Sequence, residues 1–384
     1  MKYMGSKRAM LQNGLGELLT LEGQDSSRIV DLFSGSGSVS WFASTKLRLP
    51  VLAVDLQTYA AVLAASVIER KVSLNVDEIN KTWLLQAKKW AEEHEAWDEC
   101  LQIDSSKIKT TTWCRRARRY AESFPCDDEH VVSSSYAGYY FSLTQGLVID
   151  GMLNSLPERP QTRMACLAAV IIASSRCAAS PGHTAQPFQP TESAAKYIQE
   201  AWAKDPVALV AQTVSSLSKL KAVAKGKAIV GDATQILDKL TDEDLVFVDP
   251  PYSDVHYSRF YHVLETIARQ KAVQVSGVGR YPPFEERPVS AFSRKAEARE
   301  ALVQLLSGLA ESGAKVALTF PAGDASNGLS GELVKELAQE WFTINKHMVK
   351  TRFSTLGGNN SNRSARVLSD EMILVMRPLD RQRR

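Results

Sequence analysis

A chain of 384 residues has the length of one large domain or two, and its ordinary soluble-protein composition supports a substantial core. The formal charge of +3 is too weakly basic to imply nucleic acid by itself, so any such reading rests on where the charges sit. The five cysteines (Cys100, Cys114, Cys126, Cys166 and Cys177) are scattered and form no Cys-x-x-Cys pair, which suits a reducing cytoplasm and argues against a zinc cage or a disulfide framework.

No signal peptide is read at the N-terminus. The longest apolar run, Met164–Ala173, is too short to span a bilayer and reads as a buried helix. The chain opens with Lys2-Tyr3-Met4-Gly5-Ser6-Lys7, then an amphipathic helix through Leu11, Leu15, Leu18 and Leu19. A Gly-Ser turn followed by a lysine at a helix start can hold a carboxylate through backbone N–H groups and the ammonium; a frayed basic terminus is the bland alternative. Ile29–Phe33 reads as a short strand, Gly35-Ser36-Gly37 as a tight loop, and Val39 onward as a helix. The two glycines let the backbone approach a ligand closely. Nicotinamide enzymes also use a glycine-rich first turn, but Ser40 stands where their third glycine belongs. Val51–Asp55 is a second buried strand ending in an acid. Asp55 can bind a ribose diol, cap the helical stretch through Ala60, Ala61, Leu63 and Val67, or do both. A glycine turn after the first strand and an acid closing the second point together to an adenosine-containing cofactor.

From about Lys71 to Lys225 the strand–helix alternation stops and the chain reads as mainly helical. Trp83, Trp90, Trp97 and Trp113 crowd together, followed by Arg115-Arg116-Ala117-Arg118-Arg119-Tyr120. Arginines beside aromatic rings suit phosphate contacts with stacking or wedging at bases; a solvated helix face is the competing reading. Tyr136–Leu143 is strongly aromatic and reads mostly as core. Ser180–Pro187 is a loop whose His183 has no nucleophile or orienting acid nearby.

Alternation resumes with a short strand over Lys227–Val230, leading to Asp232, which can accept from an adenine amine or simply make a turn. The next run, Leu245-Val246-Phe247-Val248, reads as a strand buried on both faces. It leads straight into Asp249-Pro250-Pro251-Tyr252, a stiff extended turn at the strand's carboxyl end, where open α/β sheets bind ligands. The Asp249 carboxylate and the Pro250 carbonyl can each accept from an exocyclic amine, and Tyr252 offers a plate for a planar base. Such an amine is a poor nucleophile, its lone pair being delocalised into the ring, until its protons are held in this way. His256, Tyr257 and Arg259 follow directly and read as a wall of a base pocket that touches DNA; a loop leading into an ordinary helix is the bland alternative. Gly277–Pro288 reads as a loop, Lys315–Phe320 as a buried strand, Leu333–Trp341 as a helix, Gly357–Arg363 as a hairpin turn before a strand over Met372–Met376, and Arg381–Arg384 as a basic tail.

In this order the motifs resemble the Dam-like, alpha-class N6-adenine DNA methyltransferases. That resemblance implies an α/β, Rossmann-like methyltransferase sheet with a C-terminal antiparallel hairpin, built from residues 1–70 and 226–384, and a target-recognition insert over 71–225. It implies S-adenosylmethionine as cofactor, held by Tyr3 and Lys7, by Asp31, Phe33, Gly35 and Gly37 of the first motif, by Asp55 at the ribose and by Asp232. Asp249, Pro250, Pro251 and Tyr252 carry catalysis, and Arg115, Arg116, Arg118, Arg119, His256, Tyr257 and Arg259 contact DNA. No metal is required. The implied partner is double-stranded DNA; a cognate restriction enzyme is admitted as a second, and the chain is a monomer or a homodimer. The rival readings are the same chemistry on RNA adenine or cytosine N4, and a DNA-binding protein without turnover.

Overall fold

The computed structural model describes residues 6–106, 108–353 and 367–379. The expectations for Tyr3, for the Gly357–Arg363 turn and for the Arg381–Arg384 tail lie outside the described residues. Two compact units divide the chain. One contains Val72–Leu220 and Ser258–Pro288; the other takes in the described residues of 4–71, Lys221–Tyr257 and 289–379.

The second unit is built on a seven-stranded sheet. Its strands are β1 (Arg28–Asp31), β2 (Val51–Asp55), β3 (Lys227–Val230), β4 (Asp244–Val248), β5 (Lys315–Pro321), β6 (Phe342–Phe353) and β7 (Val367–Pro378). The spatial order is β3-β2-β1-β4-β5-β7-β6. The first five are mutually parallel, and β7 runs antiparallel to both β5 and β6. Side chains alternate across the sheet. Ile29, Val51, Ala53, Leu245 and Phe247 face a core shared with Leu15, Leu19, Ala64 and Ile68. Val30, Val54, Val246, Val248, Val316 and Leu318 face a second core with Leu302, Leu305, Leu309, Val334 and Leu337. Helices on both faces explain why these strands are apolar at every position.

β1 ends at Asp31 rather than at Phe33, because the Leu32 N–H still bonds to Phe247 O while the Ser34 N–H turns across to Val54 O. At the opposite end of the sheet, Arg28 clamps the buried Asp244 through two parallel hydrogen bonds of 2.8 and 2.6 Å.

The first unit is mainly helical. Its longest helix, Pro160–Cys177, is buried over most of its length and includes the expected Met164–Ala173 segment. The Leu143–Asn154 helix starts with a capping box between Ser142 and Gln145. It approaches the Leu85–Glu92 helix so closely that a Cβ at Gly151 would lie 2.4 Å from Ala87 O. Tyr136, Tyr140 and Phe141 are fully buried, as expected of core. The unit boundaries differ from the expected ones: residues 258–288 group with this helical unit, although they follow the β4 turn in sequence. Among the described residues no helix is long and apolar enough to cross a membrane.

Arg28→Ala should lower unfolding stability by about 2–3 kcal/mol, since it strands the buried Asp244 carboxylate. Urea denaturation followed by tryptophan fluorescence measures this.

Candidate active site

The chain leaves β1 toward β2 on one side and β4 toward β5 on the other, so the carboxyl ends of β1 and β4 flank a topological switch point. Asp249 stands immediately beyond β4. Its Oδ1 is held twice, by the Lys7 ammonium at 2.9 Å and by the Thr319 hydroxyl of β5 at 2.8 Å. The Lys7 ammonium also donates to Glu371 of β7. Lys7 and Glu371 are only 5% and 2% exposed. Burial works against the Lys7 charge, but Asp249 and Glu371 outweigh it and hold the ammonium above its ordinary pKa. Among the described residues none donates to Asp249 Oδ2, and the side chain keeps 16% of its surface exposed.

The turn after Asp249 is fixed from below. Buried Asn327 donates from Nδ2 to Pro251 O at 3.1 Å and to Phe292 O at 2.9 Å, while its Oδ1 accepts from the Leu329 N–H. Tyr252 sets its ring edge-on against Phe320, with centroids 6.2 Å apart. Tyr257 is half-buried, with Tyr252, Asp249 and Lys7 near its hydroxyl. Burial first, then the neighbouring Tyr252 and Asp249, push it well above the ordinary phenol value, and Lys7 opposes them.

At the glycine turn, Gly35 and Gly37 take φ of +48° and +72°, a region that favours glycine. A Cβ at Gly37 would also press within 3.0 Å of Trp41 Nε1. Asp55 ties this loop to the next helix, accepting the Gly35 N–H at 2.8 Å and the Gln57 N–H at 2.9 Å. The Ser6, Ser36 and Ser38 hydroxyls cluster here at 2.8–3.5 Å from one another. Asp31 is buried and accepts from Ser40 at 2.6 Å, so the serine in the third-glycine position anchors the end of β1. Burial raises the Asp31 carboxyl from 3.8 to about 7. Asp232 caps the Ala233–Lys239 turn, its Oδ1 accepting the N–H and hydroxyl of Thr234, and none of the described residues donates to its Oδ2. Half-buried Phe33 lies edge-on to Phe292, with ring centroids 5.4 Å apart.

The structure therefore brings Lys7 to Asp249 and Glu371, with Tyr257 close by. The expectation that gave Lys7 to a cofactor carboxylate meets an ammonium already held between two carboxylates. His256 and Tyr257 belong to the sheet unit, and Arg259 to the helical one. Arg115, Arg116 and Arg119 are exposed on the Thr110–Ala121 helix, whose Cys114, Ala117 and Ala121 face inward. Arg115, Arg118 and Arg119 line an open groove with Thr111, Glu122 and Pro190. Arg118 is tied down, stacked on Tyr139 at 4.3 Å and donating to Gly138 O at 3.1 Å, and Arg116 pairs with Glu99 at 3.4 Å. His183 is a structural residue: its Nδ1 accepts the Ala185 N–H, and burial pushes its pKa down to about 4. Sequence reasoning missed Thr319, Asn327, Glu371 and the serine cluster. Glu371 alone left a signal, as an acid directly before the apolar run Met372–Met376.

Lys7→Met removes the ammonium that both Asp249 and Glu371 bind, and should cost about 3–5 kcal/mol at pH 8. Protonating a carboxylate that has lost this cation relieves part of the cost, so the deficit shrinks as pH falls. Urea denaturation at pH 5 and pH 8 checks both parts. Asp31 gives a second test. Its raised carboxyl contributes stability that is fully present below 3.8 and is lost as pH rises through about 7. Asp31→Asn removes that loss, so the variant should gain on wild type between pH 5 and pH 8 by about 2 kcal/mol.

A family model described as D12 class N6 adenine-specific DNA methyltransferase matches residues 3–146 and 192–316. The modification methylase LlaI of Lactococcus lactis subsp. lactis is 23% identical over 309 residues, covering 78% of this chain and 43% of that protein. The chain thus spans less than half the length of this curated relative. The seven-stranded, mostly parallel sheet is consistent with a methyltransferase fold. With well over half of its residues inside the family model, the chain belongs to the D12 class N6 adenine-specific DNA methyltransferase family.

Proposed function

We propose that this chain transfers a methyl group from S-adenosylmethionine to N6 of adenine in double-stranded DNA, acting on a base flipped out of the stack. The observation that carries the reading is the asymmetry of Asp249: one oxygen is locked by Lys7 and Thr319, and the other is left to accept. Oδ2 takes one N–H of the target amine and the Pro250 carbonyl takes the other, while Tyr252 stacks on the base. Holding both protons orients the nitrogen lone pair, and catalysis is then largely positioning. Positive charge builds on N6 as its new bond forms. The Lys7, Asp249 and Glu371 group carries one net negative formal charge, which favours that charge.

When bound, S-adenosylmethionine supplies an electrophilic methyl group on a sulfonium. The residues present fit it: Gly35 and Gly37 permit close backbone approach, Asp55 closes β2 at the ribose position, Asp232 offers Oδ2 to the adenine amine, and Phe33 lines the turn. Because Lys7 is engaged elsewhere, the hydroxyls of Ser6, Ser36 and Ser38 are the groups we assign to the cofactor carboxylate. The helical unit serves as the target-recognition region, with Arg115 and Arg119 toward phosphate. The Lactococcus relative is named a modification methylase, and this supports a modification role; a cytoplasmic location and a cognate restriction enzyme belong to the same reading.

Labelled S-adenosylmethionine, unmethylated duplex DNA and analysis of the product nucleosides test this. Wild type should form N6-methyladenine. Asp249→Ala should lose at least about 100-fold in rate, and Thr319→Val about tenfold, both with cofactor affinity retained. Methylated cytosine, or methylation of RNA alone, would transfer the reading to another acceptor. DNA binding without cofactor uptake would leave a non-catalytic DNA-binding protein.

A further inference from the structure

Tyr281 carries two guanidinium groups. Arg259 stands over its ring at 5.1 Å and Arg287 at 5.6 Å. The ring is pinned, because the Tyr281 hydroxyl accepts from Arg259 Nε at 3.1 Å and donates to Ala185 O. The chain beneath it is pinned as well. Ser276 and Tyr281 close a short hairpin with two backbone hydrogen bonds of 2.9 Å, and Gly279 O at its far side accepts from Tyr140 and His262, both at 2.9 Å. Arg287 lies also over Phe284 at 5.4 Å, and its Nε donates to Pro283 O at 3.4 Å.

Among the described residues none accepts from the terminal N–H groups of either arginine. Among the described residues neither guanidinium has a carboxylate within ion-pair distance. The unit's other stacked pair, Arg118 and Arg280 over Tyr139, differs in Arg280, which donates from Nε to Ser135 O and from a terminal nitrogen to Ser134 O, while Arg118 donates from Nε to Gly138 O. Two guanidiniums without carboxylate partners beside one pinned ring concentrate positive charge that an anion can neutralise. A planar fork of N–H donors matches the oxygens of a phosphate.

We infer that Arg259 and Arg287, set on Tyr281, form a phosphate clamp for the backbone of double-stranded DNA. The inference rests on the DNA reading above and deepens it. It makes 258–288 part of the DNA-binding machinery, in keeping with its grouping in the helical unit.

The test is the salt dependence of affinity for a fluorescent duplex, measured by anisotropy on the full chain. Each lost phosphate contact should lower the slope of log affinity against log salt by about 0.9. Arg259→Gln and Arg287→Gln should each remove about one unit and the double variant about two, with weaker binding on every duplex sequence. The single variants are read separately, and each must melt like wild type. Arg294→Gln, which removes a surface charge of the sheet unit paired with Glu297, is the control and should leave the slope unchanged. A wild-type slope in both singles, or a drop no larger than the control's, overturns the clamp. Wild-type methyl transfer is assayed in parallel. Transfer to DNA with unchanged slopes sinks the clamp and spares the proposed function; a slope loss on DNA with no transfer does the reverse.

Discussion

A lysine ammonium buried between two carboxylates is the constraint around which the candidate site is built. Lys7 comes from the N-terminal stretch, Asp249 from the end of β4 and Glu371 from β7. Burying any one of these charges alone would be costly, and each is tolerable only because the others are in place. The three segments are far apart in sequence but converge at one edge of the sheet. The antiparallel β7 is what makes this convergence possible: running against β5, it presents Glu371 opposite Pro321, where β5 ends. A wholly parallel sheet would bring the amino end of a strand to its opposite edge.

The same arrangement accounts for the division of labour within Asp249. A carboxylate free to rotate could offer either oxygen to a ligand. Two donors on Oδ1 remove that freedom, so the direction of Oδ2 is set before anything binds. Asn327 does the corresponding work for the backbone by tying down Pro251 O rather than the Pro250 carbonyl. The two prolines stiffen the turn, and the side chains from β5 and the loop after it aim it. Preorganisation of this kind is inexpensive where the supporting groups are themselves buried, as Thr319, Asn327 and Glu371 are.

Much of the sheet was legible because its signals are local. Apolar runs with an acid at the end mark β1, β2 and β4, and the acids Asp31, Asp55 and Asp249 do stand at carboxyl ends. The glycine turn was legible for the same reason, since a positive φ leaves its mark on the residue type itself. What escaped were relations between segments. A lysine near the N-terminus looks alike whether or not it meets protein carboxylates, and its contact with Glu371 depends on where β7 lies. Thr319 inside an apolar strand reads as a β-former, and its bond to Asp249 follows from strand order, which periodicity does not report. The grouping of 258–288 is likewise not legible: it has no composition that separates it from the sheet unit, and it packs with the helical unit around Tyr140 and His262.

Arginine shows how residue type and role come apart. The Arg115–Arg119 run stands out in sequence, and within it the structure sets Arg116 against Glu99 and stacks Arg118 on Tyr139. Arg287 sits in an unremarkable Pro- and Glu-rich loop, yet it too is stacked on an aromatic ring, with no carboxylate partner among the described residues. For binding an anion the useful quantity is not how many arginines a stretch contains but how many donors remain after the fold has taken its share. A stacked guanidinium without a carboxylate partner has already lost much of its conformational freedom. It gives up little more on meeting phosphate, so a few such residues can contribute as much as a longer run of freely moving basic side chains.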